Sequence, residues 1–581
     1  MNNKLKYAVF ALLAIVLLGS CKDNGTTSYG NGGAAGASVS LKSSSQGVTI
    51  GMETDYAALN LDNYLQTAAA NASQTTFGSA MTHGAVVQAD GTLDFSMPDA
   101  QMVAVKAAGI DNVWGHNLCW YQNQNANYIK DFAGLMPPPN VMADSNPDFE
   151  DWTTNSSDLP IPTNWVFANG VNDASYGTVA QEQKAANVSH GNSSMAVTIT
   201  QAVTSAGSSW HLQIVSPAFN TVGGHEYVVT YYAKASSSDC HLQVEWDHNG
   251  SAKYGGTTAA TVYDLTTGWT QYNFVFDPTN NLTGTGDHTP NPVGTGNPTT
   301  LCFDMAYNSV GSTVWIDNMV IVDKTQADLD ADPVAQAEKV DAVFNNWVTS
   351  MATHYKGQVV GWDVINELLA DDGSIRTNSN TSNSNATDWF VWSNYLGKNI
   401  GVEAFNLAHE ADPNALLFIN ESGLECNSKT SSVKLDSLIA YVQWLQAQGV
   451  HIDGIGTSMH VNIATAKVGV DYMFQKLAAT GLKIRISELD VALNQFKGTP
   501  MARGFVLTPE VLAYQATTYH DVIASYLENV PADQQQDITI WGVNDPNSWL
   551  YNNGADFPLL FDENYNTKPA FNGALQALKG K

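Results

Sequence analysis

Gly361-Trp362-Asp363-Val364-Ile365-Asn366-Glu367 and Ile484-Arg485-Ile486-Ser487-Glu488-Leu489-Asp490 decide how this chain is read. Each is an apolar run of strand length that leads into a glutamate, and the two lie far apart in sequence. Two carboxylates at the ends of different strands can divide the work that cleavage of a glycosidic bond requires. One stays protonated and gives its proton to the leaving oxygen; the other stays ionised and attacks or stabilises the anomeric carbon. A single strand-end glutamate is as readily an ion-pair partner or a neighbour of a helix cap, so the reading rests on coincidence with further strand ends.

Working outward, Val48 to Met52, Thr76 to Ala80 and Asn112 to His116 read as strands, with helical periodicity over Leu59 to Ala70 and Asp99 to Ala108. After Met136-Pro137-Pro138-Pro139 the helical period disappears. Short β-rich runs replace it: Ser194 to Ile199, Tyr227 to Tyr232, Cys240 to Val244, Tyr272 to Phe276 and Val314 to Asp317, separated by Gly, Ser, Asn and Thr. A helix over Asp332 to His354 restores the alternation. Strands follow at Val359 to Glu367, Ala415 to Asn420, Gly454 to His460, Leu482 to Glu488 and Ile538 to Gly542. Three strands before the break and five after it make the eight of an α/β fold, a (β/α)8 TIM barrel, interrupted after its third strand by an all-β jelly-roll sandwich. The boundaries expected are 48–140 and 326–581 for the barrel and 141–325 for the insertion.

Composition narrows the partner. The net charge of −30 excludes nucleic acid, which needs Lys and Arg to displace counterions, and disfavours acidic polymers. A neutral polysaccharide of plant type fits, and 15 Trp, 23 Tyr and 20 Phe offer surfaces for stacking on sugars, although most aromatics fill cores. The chain is read as a monomer. Lys4 and Lys6 precede an apolar stretch from Tyr7 to Leu18, too short for a membrane span, which ends Leu18-Gly19-Ser20-Cys21. That resembles a bacterial lipoprotein box, so residues 1–21 are read as a signal with Cys21 lipidated; an ordinary secretory signal is the alternative. Lys22-Asp23 resembles the surface-export signal of Bacteroidetes lipoproteins, and 22–47 is Gly/Ser/Asn/Thr-rich and reads as a tether. An outer-membrane lipoprotein exposed at the cell surface, held by its lipid, is the expected location. The remaining cysteines, Cys119, Cys240, Cys302 and Cys426, form no disulfide framework, though Cys240 and Cys302 share one segment and could pair.

In a TIM barrel the C-terminal strand ends form the active face. That gathers His116, Asn366-Glu367, Asn420-Glu421, His460, Glu488 and Trp541 around one mouth. Gly115-His116-Asn117-Leu118-Cys119-Trp120, Trp362 to Glu367, Ile486 to Asp490, Trp541-Gly542-Val543-Asn544-Asp545 with Ser548-Trp549, and Pro558 to Asp562 through Lys568-Pro569-Ala570 together resemble glycoside hydrolase family 10, the endo-β-1,4-xylanases. The resemblance implies Glu367 as general acid/base and Glu488 as nucleophile of a retaining, double-displacement reaction, with carboxyl groups about 5–5.5 Å apart. A carboxylate so near is expected to raise the pKa of Glu367. Asn366 is expected to bind the sugar 2-hydroxyl, and His460 to orient Glu488 with Asp490 behind it. His116 and Trp120 would line the −1 subsite, and Trp541 and Trp549 would stack on sugars. No cofactor is expected for catalysis.

The chain also departs from the family. Where members carry Glu-Asn-x-x-Lys after the second strand, this chain has Gly78-Ser79-Ala80-Met81-Thr82-His83; Ser458 replaces a Gln, and Tyr121 replaces a His. Decorated xylan, another β-glycan or a β-glycoside stay open as substrates. A non-catalytic glycan-binding lipoprotein is the reading from another class, against which retention of both glutamates speaks. The insertion, opening Asn146 to Trp152 and closing Val314 to Val320, resembles carbohydrate-binding modules of families 4 and 9. That resemblance implies a structural calcium with Glu150 and Asp317 as oxygen ligands, and Trp210, Trp246 and Tyr254 as sugar platforms.

Overall fold

The computed structural model describes residues 39–154, 160–169, 175–248, 261–278, 296–382, 386–426, 428–493, 507–551 and 554–580. The leader with Cys21, most of the tether and Tyr254 lie outside them. Two compact units are present, one formed by residues 1–128 with 341–581 and the other by 129–340.

The first unit is a closed ring of eight parallel strands: β1 (Thr49–Thr54), β2 (Gln74–Phe77), β3 (Asn112–Cys119), β4 (Gly361–Asn366), β5 (Leu416–Glu421), β6 (Gly454–Thr457), β7 (Lys483–Ala492) and β8 (Gln535–Ile540). Each pairs with the next, and β8 returns to β1. Every residue of β4 is buried, as expected of parallel strands covered on both faces. Three expected elements shift for local reasons. The first helix begins only at Tyr64, because Asn63 takes a left-handed φ of 65° after a short turn at Tyr56–Ala58. The second strand stops at Phe77, before Gly78. The Gly454 to His460 run breaks at Met459 (φ 61°), leaving β6 and a separate short strand, His460–Asn462, alongside β7.

Inside the ring, beneath its mouth, lies a buried ionic layer. Arg485 donates from Nη1 to Asp363 (2.9 Å) and from Nε to Asp537 (3.2 Å), with its guanidinium 3.9 Å from the centre of the Trp114 ring. The Trp114 indole donates to Asp363 at 3.0 Å. Asp363 is thereby held below the ordinary carboxylate range: burial opposes this, but the Arg485 charge and the bond to His116 outweigh it.

In the second unit, which lies between β3 and β4 in the chain, two antiparallel sheets share one apolar core. One runs Thr270–Phe276, Tyr227–Ala235, Thr313–Asp323, Ser194–Ile199, Gly177–Glu182. The other runs Thr261–Asp264, His241–His248, Gly296–Asp304, Leu212–Val215, Val166–Asn169, with Phe219–Val222 paired to Gly296–Asp304. Alternation sends Tyr227, Val229, Tyr231 and Ala233 from the first sheet, and Leu301 and Phe303 from the second, into that core. Cys240 and Cys302 do not pair. Both are buried, and they belong to different apolar clusters.

Candidate active site

β4 ends at Asn366, and Glu367 follows it with φ 52°, a left-handed conformation that costs a non-glycine residue about 1–3 kcal/mol. Two bonds hold it there. The Glu367 N–H donates to the Asn420 carbonyl at 2.9 Å, and Arg376 Nε donates to the Glu367 carbonyl at 2.8 Å. The Glu367 carboxylate accepts the Trp120 indole N–H at 2.9 Å. A cavity beside it is lined by Trp120, Tyr121, Asn366, Arg376 and Trp392.

Glu488 projects from β7 and is 7% exposed. Its Oε1 accepts from Asn420 Nδ2 at 2.7 Å, with the Ser458 hydroxyl 3.4 Å away, and its Oε2 lies 3.0 Å from His460 Nε2. The other nitrogen of His460 meets Asp490 at 2.8 Å, so the imidazole is clamped between two carboxylates. Burial alone would lower the pKa of His460, but Asp490 and Glu488 push it up to about 10. His460 is therefore an imidazolium at neutral pH, with both N–H groups committed. Asp490 also accepts the Trp549 indole at 2.8 Å. The Trp549 ring is 57% exposed and lies edge-on to His460. Trp541 stands edge-on to both His116 and His460. His116 bonds Asp363 at 2.9 Å, which with the nearby Glu488 charge raises its pKa against burial.

Asn420 joins the two glutamates. Its backbone carbonyl holds Glu367, while its side-chain amide donates to both Glu488 and Asn366 Oδ1 (2.8 Å) and accepts from the Ser487 hydroxyl at 2.6 Å. Sequence reasoning placed Asn420 at the mouth without a role. It placed Glu421 there too, but that carboxylate is fully buried in an ion pair with Lys434 (2.9 Å) and accepts the Leu369 N–H. Arg376, Ser422 and Lys434 were not anticipated, because they come from loops and a helix start with no strand-end signal.

The expectation of a raised pKa at Glu367 is corrected. Burial does push it up, but hydrogen bonds from Ser422 and Trp120 and the charges of Arg376 and Lys434 outweigh burial and hold the carboxyl below its ordinary value.

Of the departures from the expected pattern, Thr82 and His83 turn inward. Thr82 bonds the Ser79 carbonyl (2.8 Å), and His83 is wedged edge-on against Trp347 and Trp392, where burial lowers its pKa to about 3. Tyr121 stacks under Arg376 at 4.3 Å.

In the second unit Trp246 is a correction. It is 2% exposed, stacks on Phe276 and belongs to the core, so it presents no face to a sugar. Trp210 is half-buried against His211. Glu150 and Asp317, expected as calcium ligands, both bond backbone N–H groups. Glu150 accepts backbone N–H groups of Asn192 and Ser193, and Asp317 those of Ser189, His190 and Asn318. Together they pin one turn, whose Gly191 (φ 65°) leaves room for the Glu150 carboxylate. Among the described residues no group of three or more His, Cys, Asp or Glu could hold a metal ion.

Residues 314–577 match the model for "Glycosyl hydrolase family 10", a segment that contains β4 to β8. An endo-1,4-beta-xylanase A of Cellvibrio japonicus is 35% identical over 249 residues, 41% of this chain and 40% of the relative. An endo-1,4-beta-xylanase of Geobacillus stearothermophilus is 32% identical over 39% of this chain and 64% of the relative, and an exoglucanase of Acetivibrio thermocellus is 33% identical over 39% and 18%. The chain thus spans about two fifths of the length of the first of these relatives. A thermostable xylanase mutant from Cellvibrio japonicus shares the fold, at a TM-score of 0.50 and 19% identity, over 93% of this chain and 100% of that one.

Proposed function

We propose that this chain, whose segment 314–577 matches the model for glycosyl hydrolase family 10, is a retaining endo-β-1,4-glycosidase that hydrolyses xylan by double displacement. The observation that carries the reading is the bridge at Asn420, which ties a carboxylate donor-bonded by Trp120 to a second carboxylate clamped by an imidazolium. Glu488 attacks the anomeric carbon while Glu367 gives its proton to the departing glycosidic oxygen. A water then enters, Glu367 takes its proton, and the hydroxide oxygen displaces Glu488 from the sugar. Asn420 and His460 fix the attacking oxygens before the sugar arrives, so little reorganisation is left for the reaction itself. Asn366, with its carbonyl oxygen taken by Asn420, has its amide N–H groups to offer the 2-hydroxyl. Trp541 and Trp549 flank the mouth as stacking surfaces.

The lowered pKa of Glu367 favours the base step and confines the acid step to the acidic side of neutrality in the free enzyme. Glu488→Ala is expected to abolish hydrolysis. Glu367→Ala is expected to lose about 10²–10⁴-fold on polysaccharide, and less on aryl glycosides whose leaving group needs no proton. Wild-type rates in Glu488→Ala would sink the nucleophile assignment. A polysaccharide panel with product lengths tests the substrate. Release from another β-glycan and none from xylan would favour the second reading, a different β-glycan, which the buried Thr82 and His83 support.

We further propose that the second unit is a jelly-roll carbohydrate-binding module, on the strength of its two antiparallel sheets around one core and the partial exposure of Trp210. Loss of polysaccharide binding in Trp210→Ala checks it. Anchorage of a monomeric chain at the outer-membrane surface through lipidated Cys21 rests on the leader sequence. A Cys21→Ser chain that stays in the membrane fraction would refute it.

A further inference from the structure

Strand β1 carries a carboxylate that the reaction above does not use. Gly51 and Glu53 share a face of β1. That face is the barrel interior, because a Cβ at Gly51 would lie 2.4 Å from Thr539 Oγ1, beside the Arg485 layer. Glu53 stands one layer nearer the mouth, and the charge of Glu488 acts on it.

Across from it, Gly78 has no side chain, and a Cβ there would meet Glu53 Oε1 at 2.4 Å. The Gly78 N–H donates to the Thr54 carbonyl at 3.2 Å and, from beside the Glu53 carboxyl, favours its ionised form. The Glu53 side chain from β1 therefore fills the space that a side chain at the end of β2 would occupy.

We infer that Glu53 is a substrate-binding residue on the glycone side of the cleavage point, where its carboxyl takes hydroxyl groups of a neutral sugar. This rests on the xylanase reading above and deepens it. The side follows from the neighbours. Glu53 feels Glu488, the attacking group, whereas the leaving sugar departs past Glu367 and Trp120.

The sugar class follows from charge. Glu53 is 6% exposed, and the charges acting on it are those of Asp55 and Glu488, both acidic, which with burial push its pKa up to about 8. A buried acid between acids adds nothing to stability, and such sites are enriched where function requires them. Held neutral, the group donates one hydrogen bond and accepts another, as a sugar hydroxyl pair requires. A uronic acid substituent would bring a third carboxylate next to Glu488, so this subsite takes an undecorated sugar.

Glu53→Ala and Glu53→Gln should be compared with the wild-type chain on the linear β-1,4-oligosaccharide it cleaves fastest, and on the same polymer carrying uronic acid branches. Glu53→Ala is expected to lose about tenfold in kcat/KM on the linear substrate, with wild-type thermal stability. The branched polymer should gain relative to the linear one, and its shortest products should carry branches nearer the new reducing end. Glu53→Gln, which keeps a donor and an acceptor, should recover most of the linear activity. Unchanged kcat/KM in Glu53→Ala, or an equal loss on both polymers with the same products, would overturn the inference and leave the hydrolase reading standing. Failure of the wild-type chain on every β-glycan would overturn both.

Discussion

Asp363 in the barrel and Asp304 in the inserted unit are equally deep, 1% and 0% exposed, yet their carboxyls move in opposite directions. Burial raises both. At Asp363 a guanidinium and a histidine reverse it and hold the group ionised. At Asp304 the Glu245 carboxylate adds to burial and the pKa ends well above the ordinary range, although the amides of Gln213 (2.8 Å) and Gln243 (3.3 Å) both donate to it. One region keeps a fixed negative charge beneath a reaction centre; the other keeps a proton. The same residue type at the same depth thus serves as permanent field or as neutral group, depending on whether a cation was folded in beside it.

The largest expected effect comes from removing that cation. Arg485→Met leaves Asp363 and Asp537 buried without their counter-charge and is expected to cost about 3–5 kcal/mol in chemical denaturation. Asp363 holds its pKa below the unfolded value, so it contributes stability above the unfolded pKa that is lost as pH falls through the folded one. The variant should lose that acid-side dependence. A cost under 1 kcal/mol would mean the barrel interior does not depend on this pair.

Asp304 should behave with the opposite sign. Its folded pKa is raised, so its contribution is complete below the unfolded pKa and is lost as pH rises towards the folded one. As pH rises above the unfolded pKa, the strands Gly296–Asp304 and His241–His248 are expected to lose hydrogen-exchange protection, after correction for intrinsic exchange, by up to about 1.4 kcal/mol per pH unit for one proton. Asp304→Asn, a neutral mimic of the protonated acid, should flatten that slope. An unaltered slope would assign the proton elsewhere, with Glu245 the first group to examine.

The contrast also explains what could be read in the sequence. The barrel strands and their polar ends were legible because parallel strands buried on both faces are apolar runs, and any charge at their ends stands out. Glu367 and His460 sit at such ends, and Glu488 and Asp490 in the C-terminal half of β7. The direction of the Glu367 pKa was not legible, since Ser422, Arg376 and Lys434 reach it from segments with no periodic signal. Glu53 did carry a signal, a lone acid inside the strand Thr49–Thr54, but its role depends on Gly78, which reads only as part of the next strand until the two are placed side by side. In the insertion, alternation marked the strands but not which aromatics face the core, so Trp246 was misplaced while Tyr227 to Tyr232 was found.

The smallest expected effect tests the cationic side of the contrast at the reacting group itself. Arg376 is half-buried, stacks on Tyr121 and is one of two cations that hold the Glu367 carboxyl below its ordinary value. In the proposed reaction the acid step needs Glu367 protonated, so kcat/KM is expected to fall as pH rises through its pKa in the free enzyme. Arg376→Met removes one lowering charge, and the falling limb of the kcat/KM profile is expected to move up by about one pH unit. Arg376→Lys keeps the charge while losing the guanidinium geometry, and should leave the limb near its wild-type position even if the maximal rate drops. A limb that moves equally in both variants would mean that the hydrogen bond from Arg376 to the Glu367 carbonyl, rather than its charge, sets the proton affinity of the acid.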